Sequence, residues 1–390
     1  MRFIRSAAMA SLACGLLLAP VTGCDLATES EDNRDVVIAA DLELSGPAAD
    51  IGTAYERALR LKVEQLNAVG ATGERKIRLE VRDNRSDTNI SLKNIGDFGR
   101  DTSVTAIVSG ACSRCAIQAW RTINEARVPT IALAPASQVT EPVNDRRYVF
   151  KLAPNAADTA AALTTELRRV KVKRVGMLLT DDPYGGNGLG AMTRELDKAG
   201  IELIATRQVK TTDTDVTQPM AAITDADPDA IVVWTFAEQA GLAATSARSA
   251  GYTGRLFFDS AGAGELFLTG ATAAAAEGVT MVFPQTMVID DVIATTPAKA
   301  ARKQWFRDYT ARYGGYFGYA SFAADAAQLI VDAVNRVGGV DRDRLRDVLE
   351  TSQLDGLSGP IRITPDNHSG LTPQALAMLV ARSGRWRLAG

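Results

Sequence analysis

The chain has a single histidine, His368, among 390 residues, and only four cysteines. That scarcity removes most nucleophilic triads and histidine-based metal sites, because both need imidazoles at defined positions. His368 itself lies in the turn-rich run Pro365-Asp366-Asn367-His368-Ser369-Gly370 and is expected in a surface loop. No G-x-x-x-x-G-K-[ST] phosphate cradle and no G-x-S-x-G elbow occurs. Basic residues nowhere form the dense patch that nucleic acid requires; the strongest stretch, Arg168 to Arg174, is short and reads as a helix end. No enzyme activity, cofactor, metal or nucleic-acid partner is expected.

One glycine motif needs weighing. Gly186-Asn187-Gly188-Leu189-Gly190-Ala191 matches G-x-G-x-x-A. A dinucleotide site wants the first glycine directly off a strand and an acid closing the next strand. Here Asp181-Asp182-Pro183-Tyr184 intervenes, and the next strand runs through Ile204-Ala205-Thr206 without an acid. The motif is read as chance.

The N-terminus carries stronger information. Arg2 and Arg5 precede a nearly apolar run from Ala7 to Val21, and Val21-Thr22-Gly23-Cys24 leads into a polar, acidic stretch. A basic start, a short apolar core and small residues before a cut are the marks of a secretory signal over residues 1–23. The run is shorter than the roughly 20 residues of a spanning helix. Small residues leading into a cysteine resemble the lipobox of bacterial lipoproteins, which implies that Cys24 is acylated and holds the protein to a membrane. Residues 24–35 then read as a flexible tether, too polar to fold. Losing Arg2 and Arg5 leaves 41 basic against 46 acidic residues, a formal charge of −5. The expected location is periplasmic or extracytoplasmic.

Cys112 and Cys115 remain in the body, spaced C-x-x-C. In an oxidising compartment the pair reads as a local disulfide, as two buried thiols or as a redox pair.

The body alternates strands with helices. Val36 to Leu42 is an apolar strand suited to a sheet buried on both faces. Helices are expected over Tyr55 to Leu66, Ile90 to Phe98 and Ile117 to Ala126, separated by strands at Ile77 to Val81, Val104 to Val108 and Val128 to Leu133. The rhythm restarts at Ala156, with strands at Arg174 to Leu179, Ile201 to Val209, Ala230 to Trp234, Leu256 to Phe258 and Val279 to Phe283. A helix is expected over Gly188 to Ala199. Helices at Pro297 to Tyr313, Ala320 to Val337 and Asp341 to Leu349 precede short terminal strands. Repeated β-α-β units, over a length exceeding one core, imply an α/β fold with two doubly wound parallel sheets.

The loops carry a resemblance. Ser45-Gly46-Pro47, Asn67-Ala68-Val69-Gly70, Asp83-Asn84-Arg85-Ser86-Asp87, Val108-Ser109-Gly110-Ala111-Cys112-Ser113 and the segment Val128 to Ser137 follow in order. Asp181-Asp182-Pro183-Tyr184-Gly185, Asp227 to Val233 and Gly278-Val279 complete the series. Together they resemble the type I periplasmic solute-binding proteins of the leucine/isoleucine/valine-binding kind, from about Val36 to the C-terminus. The resemblance implies two Rossmann-like lobes joined by a three-segment hinge, with residues 36–153 plus 284–355 in one lobe and 154–283 plus 356–390 in the other. It implies capture of a small molecule (an amino acid, an amide or an organic acid) for an ABC transporter permease. The same fold also serves as a sensor for a membrane signalling partner.

By the same resemblance, Ser113, beside Cys112, matches a serine that binds the ligand carboxylate, and Ala136 and Ser137 match a second carboxylate loop. Tyr184 matches a pocket tyrosine, and Phe236 falls where an aromatic residue closes the pocket. Ser260 takes the position of an acidic ammonium partner, with Asp259 one residue early, so that its side chain is expected to point elsewhere. Ile51 stands where relatives often carry a tyrosine. Some relatives pair the first cysteine with one in the loop where Asn84 and Arg85 stand; here the resemblance implies a Cys112–Cys115 bridge.

Overall fold

The computed structural model describes residues 34–389 apart from Phe267; the signal segment, Cys24 and nearly all of the tether lie outside them. At the edge of that range Arg34 donates to the Thr102 carbonyl and Asp35 accepts from the Lys76 amide.

The first sheet contains β1 (Val36–Leu42), β2 (Ile77–Asp83), β3 (Val104–Ser109), β4 (Thr130–Ala132) and β5 (Val149–Lys151) in the order β2-β1-β3-β4-β5, all parallel. Its crossovers are α1 (Ala49–Ala68), α2 (Thr88–Arg100) and α3 (Ser113–Ala126). After α4 (Ala156–Arg169), the second sheet is built from β6 (Arg174–Thr180), β7 (Glu202–Val209), β8 (Ala230–Trp234), β9 (Arg255–Phe258) and β10 (Thr280–Pro284). The helices α5 (Pro183–Ala199), α6 (Thr217–Thr224), α7 (Ala237–Ser249) and α8 (Gly270–Ala275) connect them. The chain then forms α9 (Pro297–Tyr313), α10 (Ala320–Val337) and α11 (Arg342–Leu349), the hairpin β11 (Gln353–Asp355) with β12 (Pro360–Arg362), and finally β13 (Leu376–Arg382) and β14 (Arg385–Leu388).

The fold is α/β with two lobes, as the alternating pattern predicts, but the second sheet is mixed. Its order is β14-β13-β10-β9-β8-β6-β7, and β13 and β14 pair antiparallel to their neighbours. A two-residue turn between β13 and β14 cannot make the long crossover that a parallel pair requires. Both β1 and β8 are buried along their whole length, so their continuous apolar character reflects cover on two faces. The three helices after β10 return to the first lobe: α10 packs on α1, and Arg312 of α9 pairs with Glu64.

Two sequence readings change. His368 is fully buried rather than on a surface loop. Its chain segment extends the first sheet at β5, where the Lys151 amide donates to the His368 carbonyl and the Gly370 amide to the Lys151 carbonyl. The imidazole lies 2.9 Å from the Val149 carbonyl and 3.3 Å from Glu350, and its ring packs on Phe150 at 4.5 Å. Burial lowers its pKa. Helix α5 begins at Pro183, five residues earlier than its apolar spacing suggested, because Asp182 caps it through the Gly185 amide. The glycines of the G-x-G-x-x-A run are thus inside a helix. Gly188 is there for packing: a Cβ would sit 2.3 Å from the Trp234 indole.

Candidate functional site

Ligands of doubly wound sheets bind outside the carboxyl ends of the strands. Here the loops after β1 and β3 face those after β6, β7 and β8 across a cleft of about 830 Å³, lined from both lobes. Six carboxylates border it: Glu43, Asp50, Asp181, Asp182, Glu238 and Glu265. Two cations, Arg114 and Lys210, are opposed to them. A much smaller cavity lies among Tyr55, Phe236, Ser260, Tyr319 and Phe322.

Of the predicted site residues, Ala136, Ser137, Tyr184 and Asp259 line neither of these spaces. Cys112, Ser113, Phe236 and Ile51 line the large cleft, and Phe236 and Ser260 line the small cavity. Cys112 caps α3, its sulfur accepting from the Cys115 amide. The two cysteines are joined in a disulfide. Ser113 is the first residue of α3, and its hydroxyl accepts from the Ala136 amide at 3.1 Å, which draws the two carboxylate-loop candidates together. Ser137 reaches across the lobes: its amide donates to Asn187 Oδ1 of α5 at 2.7 Å.

Tyr184, Phe236 and Asp259 form one cluster. Tyr184 sits in the first turn of α5, with its ring 5.8 Å from Trp234 and 5.8 Å from Phe236. Its hydroxyl donates to Asp259 Oδ2. The Asp259 side chain, expected to point away, is therefore turned to Tyr184. It follows β9 as the cap of a short 3-10 turn over Ser260–Gly262, and that turn removes the simple alternation of a strand. Asp259 Oδ2 also accepts from the Ala261 amide, whereas Oδ1 is fully buried without a partner. Burial raises its pKa well above the usual carboxylate range, and the neighbouring backbone amides act in the opposite direction.

Sequence reasoning missed buried ionic groups, three of which lie at strand ends of the first sheet. Asp41 and Glu43 end the apolar run of β1, and both are fully buried. Asp41 accepts from Ser91, Asn94 and Asn84. Glu43 accepts from the Ala111 amide at 3.0 Å and the Cys112 amide at 3.2 Å, with the Asn84 side chain at 3.3 Å. Burial raises both pKa values. Two acids at the end of an otherwise apolar strand were the available signal. The third group, Lys151, is buried in β5 and donates to Asn155 Oδ1 at 2.8 Å and to the carbonyls of Pro135 and Ala153. Burial takes its pKa down to about 7.

Among the described residues no group of three or more His, Cys, Asp or Glu side chains is placed to hold a metal ion, and no helix is long and apolar enough to cross a membrane.

A Leu/Ile/Val-binding protein homolog from Brucella abortus is 22% identical over 336 residues, covering 83% of this chain and 82% of that protein. The leucine binding protein LivK of Thermotoga maritima superposes with a TM-score of 0.78 at 19% identity, over 91% of this chain and 98% of that one. A solute binding protein of an ABC transporter from Rhodopseudomonas palustris, solved with 3,4-dihydroxy benzoic acid, gives 0.80 at 18% identity, over 91% and 96%. The model of the periplasmic binding protein family matches residues 35–384, and with the two-lobed fold this establishes that the chain belongs to that family, as a type I periplasmic binding protein.

Proposed function

We propose that this protein is an extracytoplasmic solute-binding lipoprotein that captures a small polar ligand between its lobes for an ABC permease. The observation that carries the reading is the cleft of about 830 Å³ walled by loops of both lobes. That volume lies within the range of small-molecule sites, and hinge closure around a ligand is the established use of two such lobes. Cys112, Ser113, Ala136 and Ser137 are the contact candidates of the first lobe; Tyr184, Phe236, Asp259 and Ser260 are those of the second. Acylation of Cys24 would hold the body to the membrane beside its permease.

A thermal-shift screen of the purified protein over amino acids, amides and small organic acids tests this. A ligand binding only the folded state adds about 2.7 kcal/mol at a hundredfold excess over Kd. At least one compound class should raise the melting temperature, and Ser113→Ala should weaken that response. A flat response to every class would overturn the reading. Mass spectrometry of membrane-extracted protein should find Cys24 as an acylated N-terminus.

A further inference from the structure

The disulfide of Cys112 and Cys115 lies at the wall of the cleft. Cys112 is half-buried and lines that space, whereas Cys115, in the first turn of α3, is only 4% exposed. The bridge joins residues with a sequence separation of 3, and a loop that short restrains the unfolded chain least. The folded loop is also held without it. Glu43 accepts from the Ala111 and Cys112 amides at 3.0 and 3.2 Å, and the Ser113 hydroxyl accepts from the Ala136 amide at 3.1 Å. The bridge adds little that these hydrogen bonds do not already supply, while it keeps one cysteine at the cleft and the other inside.

We propose that Cys112 is a thiol-exchange site, with Cys115 as its resolving sulfur, and that its substrate is a small thiol arriving through the cleft. The thiolate attacks Cys112 Sγ, and a new S–S bond joins the two. The Cys112–Cys115 bond breaks, and its electron pair leaves on Cys115 Sγ, which takes a proton from water. Return attack by Cys115 expels the small thiol and restores the bridge. Attack instead by a second thiol on the sulfur of the first releases a small disulfide. Both cysteines are then reduced, the protein having gained the two electrons that the thiols lost. Arg114, exposed and on the same wall as Cys112, offers a cation to the approaching thiolate. The Cys115 amide donates to Cys112 Sγ at 3.1 Å, at the N-terminus of a 14-residue helix. A released Cys112 thiolate thus keeps a donor and the positive helix end. The Thr88 hydroxyl, 4.0 Å from Cys115 Sγ, is placed to serve the leaving sulfur in the same way. The Glu43 carboxylate beneath the loop works against a second negative charge, and its burial, which raises its pKa, weakens that opposition. An adduct on Cys112 would stand in the cleft, so the redox state of the surroundings governs access to it.

The folded wild-type protein, treated briefly with dithiothreitol and then with limiting iodoacetamide, is digested and mapped by mass spectrometry. Cys112 should carry at least about 10-fold more label than Cys115, with the circular dichroism spectrum unchanged. Equal labelling, more label on Cys115, or a bridge that opens only in urea overturns the proposal. Oxidised glutathione then probes each sulfur alone. Cys115→Ser should form a mixed disulfide at Cys112 at least about 10-fold faster than Cys112→Ser forms one at Cys115. Comparable rates overturn the proposal as well. The wild-type labelling decides the matter should either variant fail to fold. The thermal-shift screen is read separately, so failure of the exchange leaves the solute-binding reading intact.

Discussion

The hydroxyl of Tyr184, in the first turn of α5, donates to the carboxylate of Asp259 beyond β9, so that two site candidates 75 residues apart meet in the second lobe. Asp259 holds its proton more tightly in the folded protein than in the unfolded chain, because burial disfavours its charge. As pH rises from the ordinary value of 3.8 toward the raised one, the unfolded chain loses that proton first, and stability falls. Asp259→Asn should remove this loss. Urea denaturation from pH 4 to 8 should show the variant gaining steadily on the wild type as pH rises. A difference that does not change with pH would refute the assignment.

Lys151 behaves with the opposite sign. Its folded pKa of about 7 lies below the ordinary 10.5, so between these values the unfolded chain binds the extra proton. Stability therefore rises with pH in that window. Compared with Lys151→Met, the wild type should gain about 1.4 kcal/mol per pH unit between pH 7 and 10. Parallel stability curves for the two proteins would show that the ammonium keeps its charge.

Gly110 and Glu43 should be coupled. The Cβ introduced by Gly110→Ala meets the carboxylate at 2.1 Å, an overpacking expected to cost about 1–3 kcal/mol. In Glu43→Ala the same glycine substitution has room. A double-mutant cycle by chemical denaturation should therefore give an interaction of about 0.5–3 kcal/mol. Strict additivity would mean that the loop yields elsewhere.

Asn187 links the lobes through Ser137. Asn187→Ala removes one net hydrogen bond, at about 0.5–1.5 kcal/mol, from a contact that exists only when the lobes are together. Ligand affinity should drop roughly 2- to 10-fold, with the change in the dissociation rate. Stopped-flow release with an unchanged rate would remove Asn187 from the closing contact.

The alternation of apolar strands with amphipathic helices was enough to determine the α/β class, the two sheets and most element positions, because strand burial and helix periodicity are local properties written residue by residue. Pro297–Tyr313 and Ala320–Val337 coincide with their sequence-predicted bounds for that reason. The loop motifs likewise placed Cys112, Ser113 and Phe236 where the cleft has its walls. What the sequence did not reveal depends on distant partners. The direction of β13 was decided by its pairing with β10, and the burial of His368 by the addition of its segment to β5. Whether Glu43 and Lys151 were surface charges or buried ones was open until Ala111, Cys112, Asn155 and Pro135 arrived beside them. A charged side chain leaves water only where other parts of the chain supply its hydrogen bonds, and that supply exists only in the folded protein.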